Sequence, residues 1–196
     1  NVNDWLPINL QIMRYQSYKN WKCIIIDDHS TDNSLKTISS NIENDDRFIV
    51  TKTKKSRSGP GGGFLHGIDL KHKDLNLNDE DIIVCVDGDD WLSSVFVLEY
   101  LNNIYNDKKV WMTNGQYQMY PKGNLGGHYD MNVDPEIDRK NDYRKYPFPF
   151  SHLKTFKYWL FNKIDRKDFI DSTTNDIWAT AWDIALCLPM VEMAGL

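Results

Sequence analysis

Apolar positions along this chain switch repeatedly between two periods. Trp5, Ile8, Ile12 and Tyr15 recur at spacings of three and four and predict a helix over residues 4–15. Residues 23–27, with three consecutive isoleucines, read as a continuous apolar strand. Ser30 or Thr31 is placed to cap the next helix, in which Leu35, Ile38 and Ile42 form one face. A short strand over 47–52 follows, and the run Gly59-Pro60-Gly61-Gly62-Gly63 opens a helix through about residue 72. A strand over 82–86, a helix over 95–105 and a strand over 110–113 complete this half. Such alternation predicts an α/β fold, a mostly parallel sheet with helices on both faces.

The pattern changes near Tyr120. Residues 121–150 are rich in Gly, Pro, Asn, Asp and Tyr and keep no sustained period, which marks a functional or a disordered loop. The aromatics within it (Tyr129, Tyr143, Tyr146, Phe148, Phe150) favour a loop that packs or binds something. Beyond it, residues 156–162 read as helical, and an apolar helix starts near Ile177 that Pro189 should kink or interrupt. The leading helix has no strand before it, and Leu196 stands just past Gly195, so the expectation is a fragment trimmed at both ends, lacking its first strand.

Composition narrows the choices. At 196 residues the chain fits one domain with a real core. A net charge of −5 argues against a nucleic-acid partner, which needs a basic stripe. The local basic cluster Lys52, Lys54, Lys55 and Arg57 reads equally well as a solvated loop. Cys23, Cys85 and Cys187 sit in apolar stretches without metal or redox spacing and read as small buried hydrophobes. No run approaches the ~18 apolar residues of a membrane span. The first residue is Asn1 rather than Met, which leaves targeting open; without a disulfide pattern, a cytoplasmic location is favoured.

The chemistry concentrates where two apolar strands end. Asp27-Asp28 closes the first, and Asp87-Gly88-Asp89-Asp90 follows the third almost directly. Carboxylates at this density repel one another and call for a cation. All-oxygen donors suit Mg²⁺ or Mn²⁺, and a divalent ion in turn suits a diphosphate. An EF-hand loop is excluded, because it needs Gly sixth and Glu twelfth. Counting from Asp28 those places hold Asn33 and Ser39, and from Asp87 they hold Leu92 and Leu98. The glycine run likewise lacks the spacing and the Lys-Ser/Thr of a P-loop.

The segment Tyr18-Lys19-Asn20-Trp21-Lys22-Cys23-Ile24-Ile25-Ile26-Asp27-Asp28-His29-Ser30-Thr31-Asp32-Asn33-Ser34 resembles the nucleotide-sugar-binding start of family 2 glycosyltransferases. Asp87-Gly88-Asp89-Asp90 stands where that family keeps its DxD motif, and the resemblance is good over residues 4–115 and loose beyond. It implies a GT-A fold with a Rossmann-like sheet over a single catalytic domain, 1–196. Residues 1–115 would be its nucleotide-sugar half and 116–196 its acceptor and catalytic half. It also implies that Asp28 accepts a hydrogen bond from uracil N3–H, a chemically apt pairing for an acceptor-only carboxylate; the plainer alternative is that Asp28 caps the following turn. Asp89 would bind the metal directly, Asp87 would contact ribose or a metal-bound water, and Gly88 completes this cofactor-binding set. Asp90 would orient its neighbours or cap the helix after Leu92. Where many members carry an Arg before a Gly-Ile pair, this chain has Phe64 before Gly67-Ile68, so Lys55 or Arg57 would have to substitute.

Inverting members place a catalytic Asp at the start of a late helix. Asp183 matches, as a lone acid in an apolar stretch whose burial would strengthen it as a base. Asp176 competes, although a helix N-cap explains it. His152, in Ser151-His152-Leu153-Lys154-Thr155-Phe156-Lys157, is a candidate metal ligand, with Lys154 or Lys157 toward phosphate. His29, His66, His72 and His128 show no partner spacing. The resemblance thus implies an inverting, Mn²⁺- or Mg²⁺-dependent hexosyltransferase. It would move sugar from UDP-glucose or UDP-galactose to a hydroxyl of a glycan or protein acceptor. Nucleotidyl transfer onto a sugar phosphate, or a non-catalytic nucleotide-sugar-binding module, are the other readings.

Overall fold

A computed structural model describes residues 1–55, 58–70, 75–126, 134–145, 150–178 and 180–195. The chain forms two compact units, residues 1–76 with 86–108, and residues 77–85 with 109–196.

In the first unit, helix α1 (Leu6–Arg14) begins with Pro7 in its first turn, where the missing N–H is harmless. It buries Leu6, Asn9, Leu10 and Met13 and packs on α2 (Ser34–Ile42). The buried face is not the one expected, since Trp5, Ile8 and Tyr15 are exposed; the period was legible, its phase was not. Helix α2 turns Ile38 inward, leaves Leu35 exposed, and starts after Asn33. Its first N–H, on Ser34, bonds the Asp32 carboxylate at 3.0 Å, so neither Ser30 nor Thr31 is the cap. Strands β1 (Cys23–Asp27) and β2 (Phe48–Lys52) pair in parallel, from Cys23 opposite Phe48 to Asp27 opposite Lys52. Helix α3 (Gly59–Ile68) lies against β1. A Cβ at Gly67 would stand 2.6 Å from Ile26 Cδ1, so this glycine serves close helix–strand packing. Helix α4 (Val97–Ile104) buries Leu98 and Leu101.

The second unit is built around β3 (Ile82–Cys85), β4 (Met112–Thr113) and β5 (Lys154–Lys157), in the order β3-β5-β4. Both pairings of β5 are antiparallel, Cys85 opposite Lys154 and Thr113 opposite Thr155. The expected mostly parallel, Rossmann-like sheet is therefore not what forms. Among the described residues the sheets are small, and β5, whose last two residues fall in the helix expected over 156–162, takes the centre of this one. Its four residues are all buried, including Lys154 and Lys157. Buried cations need partners, and Lys157 Nζ lies 3.1 Å from Glu80 Oε2.

The long irregular stretch contains α5 (Pro135–Lys140), capped by the Asp134 side chain, and a 3₁₀ turn at Tyr143–Lys145. Tyr143 and Phe150 are buried, so these aromatics pack; Tyr129, Tyr146 and Phe148 lie outside the described residues. Helix α6 (Tyr158–Phe161), a hairpin of β6 (Ile170–Asp171) with β7 (Asp176–Ile177), and α7 (Trp182–Ala194) follow. Helix α7 starts later than expected and continues through Pro189. Phe156, Leu160, Phe161, Phe169, Leu186 and Met190 form the fully buried core.

Candidate active site

Strand β1 ends on Asp27, and Asp28 follows it directly in different surroundings. Asp27 is buried; its Oδ1 accepts from Ser30 N at 3.0 Å, and Lys52 Nζ stands 3.9 Å from its Oδ2. It closes the turn that carries His29 through a left-handed φ of 59°. Asp28 is half-buried and reaches across to the start of α3. Its Oδ1 accepts from Thr53 Oγ1 at 2.6 Å and Ser58 N at 3.0 Å, and its Oδ2 from Gly59 N at 3.0 Å. Burial pushes this carboxyl up, but those three hydrogen bonds and the neighbouring His29 outweigh it and hold it below the usual range. Asp28 therefore stays ionised and acceptor-only. A carboxylate has about four acceptor positions, and among the described residues one on Oδ2 is left for a ligand. The donors to Asp28 come from α3 and the end of β2, not from the turn that follows it.

The second acidic group is the turn after β3, closed by Asp90 N donating to Asp87 O at 3.1 Å. Asp87, Gly88, Asp89 and Asp90 are all exposed. Asp90 caps no helix there, since α4 begins only at Val97. The backbone of the turn is held from α1, where the buried Asn9 Nδ2 donates to the carbonyls of Asp87, at 3.3 Å, and Asp90. Exposed carboxylates on a fixed backbone are the hard oxygen donor set that Mg²⁺ or Mn²⁺ takes, so these residues fit the metal that the DxD resemblance implies. Phe64, at the family's Arg position, is half-buried in α3; Lys55 is exposed, and Arg57 lies outside the described residues.

In the second unit, Asp183 sits in the first turn of α7. Its side chain is 34% exposed, so the burial expected of it is not found, and its Oδ2 meets the buried Lys154 Nζ at 3.9 Å. Lys154 and Lys157 thus face Asp183 and Glu80. His152 is half-buried, its ring edge-on to Tyr117 at 5.6 Å. Asp176 opens β7 rather than a helix, because the hairpin pairs it with Asp171; the N-cap explanation does not apply. Asp28, Asp87, Gly88 and Asp89 share the first unit, while His152 and Asp183 belong to the second.

Sequence reasoning missed Asn9, Gln16 and Thr53. The available signal was polar: Asn9 interrupts the apolar set Leu6, Leu10 and Met13 on one face of α1.

Residues 1–167 match Glycosyl transferase family 2, and the chain belongs to that family. A search of curated proteins finds no match. Among solved structures, the crystal structure of S. aureus TarS 1–349 in complex with UDP matches with a TM-score of 0.64 at 14% identity. The match covers 98% of this chain and 52% of that one, so the chain spans about half of its length. At that identity the likeness establishes the fold, a mixed α/β GT-A architecture.

Proposed function

We propose that this chain is the nucleotide-sugar-binding and catalytic part of an inverting glycosyltransferase that uses a UDP-hexose, UDP-glucose or UDP-galactose foremost. The observation that carries it is the turn Asp87–Asp90, with exposed carboxylates on a backbone clamped by Asn9, in a chain of family 2. TarS, the structural relative, was crystallised with UDP, which supports uridine as the base.

In this proposal Asp28, ionised and with an acceptor position on Oδ2, takes uracil N3–H. Asp87 and Asp89 would hold Mn²⁺ or Mg²⁺, with Gly88 between them and His152 as a further candidate ligand. A metal there supplies charge neutralisation for the departing diphosphate. Asp183 takes the proton from the acceptor hydroxyl as its oxygen attacks the anomeric carbon. The bond from that carbon to the UDP oxygen breaks on the opposite face, so configuration inverts. Residues 1–115 would handle the donor and 116–196 the acceptor, a glycan or a protein hydroxyl.

The test is incubation with UDP-glucose, UDP-galactose and their N-acetyl forms, with and without Mn²⁺, followed by mass spectrometry for released or transferred sugar. Metal-dependent loss of one UDP-hexose is expected. Absence of both turnover and metal-dependent UDP binding across the set contradicts the proposal.

A further inference from the structure

Helix α1 lies along the acidic turn and the segment that follows it. Trp5, at its start, stacks on Trp91 with ring centroids 6.2 Å apart. Asn9 donates to the carbonyls of Asp87 and Asp90. Gln16, fully buried just past its end, donates to Ser94 O at 2.8 Å and accepts from Leu98 N at 3.0 Å. Ser17 N donates to Val95 O at 2.7 Å, and Ser17 Oγ meets Glu99 Oε2 at 2.5 Å. Helix α1 and the residues just past its end thus engage the chain at points from residue 87 to residue 99.

Asn9 is the unexpected member. It is 9% exposed, on a face shared with Leu6, Leu10 and Met13, where a leucine would serve the core better. A buried carboxamide is tolerated only when its hydrogen bonds are made. The carbonyls it takes are the first and last of the four-residue acidic turn, which the Asp90 N to Asp87 O bond also closes. Three carboxylates in four residues repel, and a turn pinned at both ends resists opening under that repulsion. Gly88 adds to the fit, since a Cβ there would meet Val2 Cγ2 at 3.2 Å.

We infer that Asn9 is a positioning residue for metal–nucleotide binding: it fixes the backbone that presents Asp87 and Asp89, an assignment that rests on the metal–diphosphate reading above. It touches neither ligand and acts only through the turn. Its contribution belongs to the metal-dependent part of UDP affinity, because Asp28 is held separately by Thr53, Ser58 and Gly59.

The test compares wild type, Asn9→Leu, Asn9→Ser and Asp89→Asn. UDP is titrated calorimetrically with and without Mn²⁺, and amide exchange across residues 86–99 is measured without ligand. For Asn9→Leu the Mn²⁺-dependent gain in UDP affinity should shrink about tenfold or more, as expected for a lost buried hydrogen-bond pair. Metal-free UDP affinity should hold, and exchange should quicken at the turn. A residue that only stabilised the fold would lower the binding-competent fraction and leave that gain intact. Asn9→Ser, whose shorter side chain cannot span both carbonyls, should behave like Asn9→Leu and stands in for it if leucine prevents folding. An unchanged gain in both Asn9 variants, with the gain lost in Asp89→Asn, overturns the positioning role alone. A gain that survives Asp89→Asn overturns the metal site and this inference with it.

Discussion

Asp28 and the Asp87–Asp90 turn both follow apolar strands, yet they are immobilised in opposite ways. At Asp28 the carboxylate itself is tied, with three hydrogen bonds spread over its two oxygens. At the acidic turn the backbone carbonyls are tied, through Asn9, and the carboxylates face solvent. The difference suits two different tasks. Recognising one edge of a base needs an acceptor fixed in direction. Coordinating a cation needs oxygens presented at the surface from a backbone that does not spread. Acidic residues alike in sequence are thus separated by their exposure and by how the backbone that carries them is held.

The proposed chemistry adds a third carboxylate that belongs to neither group, and its removal should have the largest effect. Asp183→Asn keeps the shape but cannot take a proton, so turnover should fall roughly 10²–10⁴-fold. UDP affinity of the folded protein should hold, while the melting temperature falls because the buried Lys154 loses its partner. If Asp183 served only its ion pair with Lys154, activity would fall in proportion to unfolded protein instead. Near-normal turnover in a folded variant removes Asp183 as base.

Asp28→Ala should have an intermediate effect and should leave the metal contribution alone. Ser58 N, Gly59 N and the Thr53 hydroxyl lose their acceptor, which costs about 1–3 kcal/mol. With the wild type, UDP should raise the melting temperature more than ADP or GDP does, and the variant should narrow that margin. Equal shifts for the three nucleotides with wild-type protein exclude a uracil contact at Asp28.

The smallest effect concerns pH. The folded state holds the Asp28 carboxyl below its ordinary value, so its stabilisation is present above the unfolded pKa and is lost as pH falls through the folded one. Wild type should exceed Asp28→Asn in melting temperature at neutral pH, and the gap should close below about pH 4. A gap independent of pH assigns the difference to shape rather than charge.

Legibility in the sequence followed the range of the interactions. Strand β1 and strand β3 were readable because unbroken aliphatic runs of this length mark strands, although most of their residues are half-buried rather than buried. Strand β5 was not, because Lys154 and Lys157 look like surface residues until Asp183 and Glu80 supply their partners. That strand alone turned an expected parallel arrangement into two antiparallel pairings. The phase of α1 was hidden because Asn9 passes for a solvent-facing residue unless the turn 78 positions further on is known to need it. The acidic pairs were legible as chemistry. Their partners, Thr53, Ser58 and Gly59 for Asp28 and Asn9 for the turn, are set by tertiary structure, as is the partial exposure of Asp183.

The claim that the Asp87–Asp90 turn is a metal–diphosphate site is tested most directly by titrating UDP into wild type and Asp89→Asn with and without Mn²⁺. Mn²⁺ should tighten UDP binding to the wild type by about tenfold or more, and Asp89→Asn should abolish that gain while binding UDP as the metal-free wild type does. A wild-type affinity indifferent to Mn²⁺, or a gain preserved in Asp89→Asn, would contradict it.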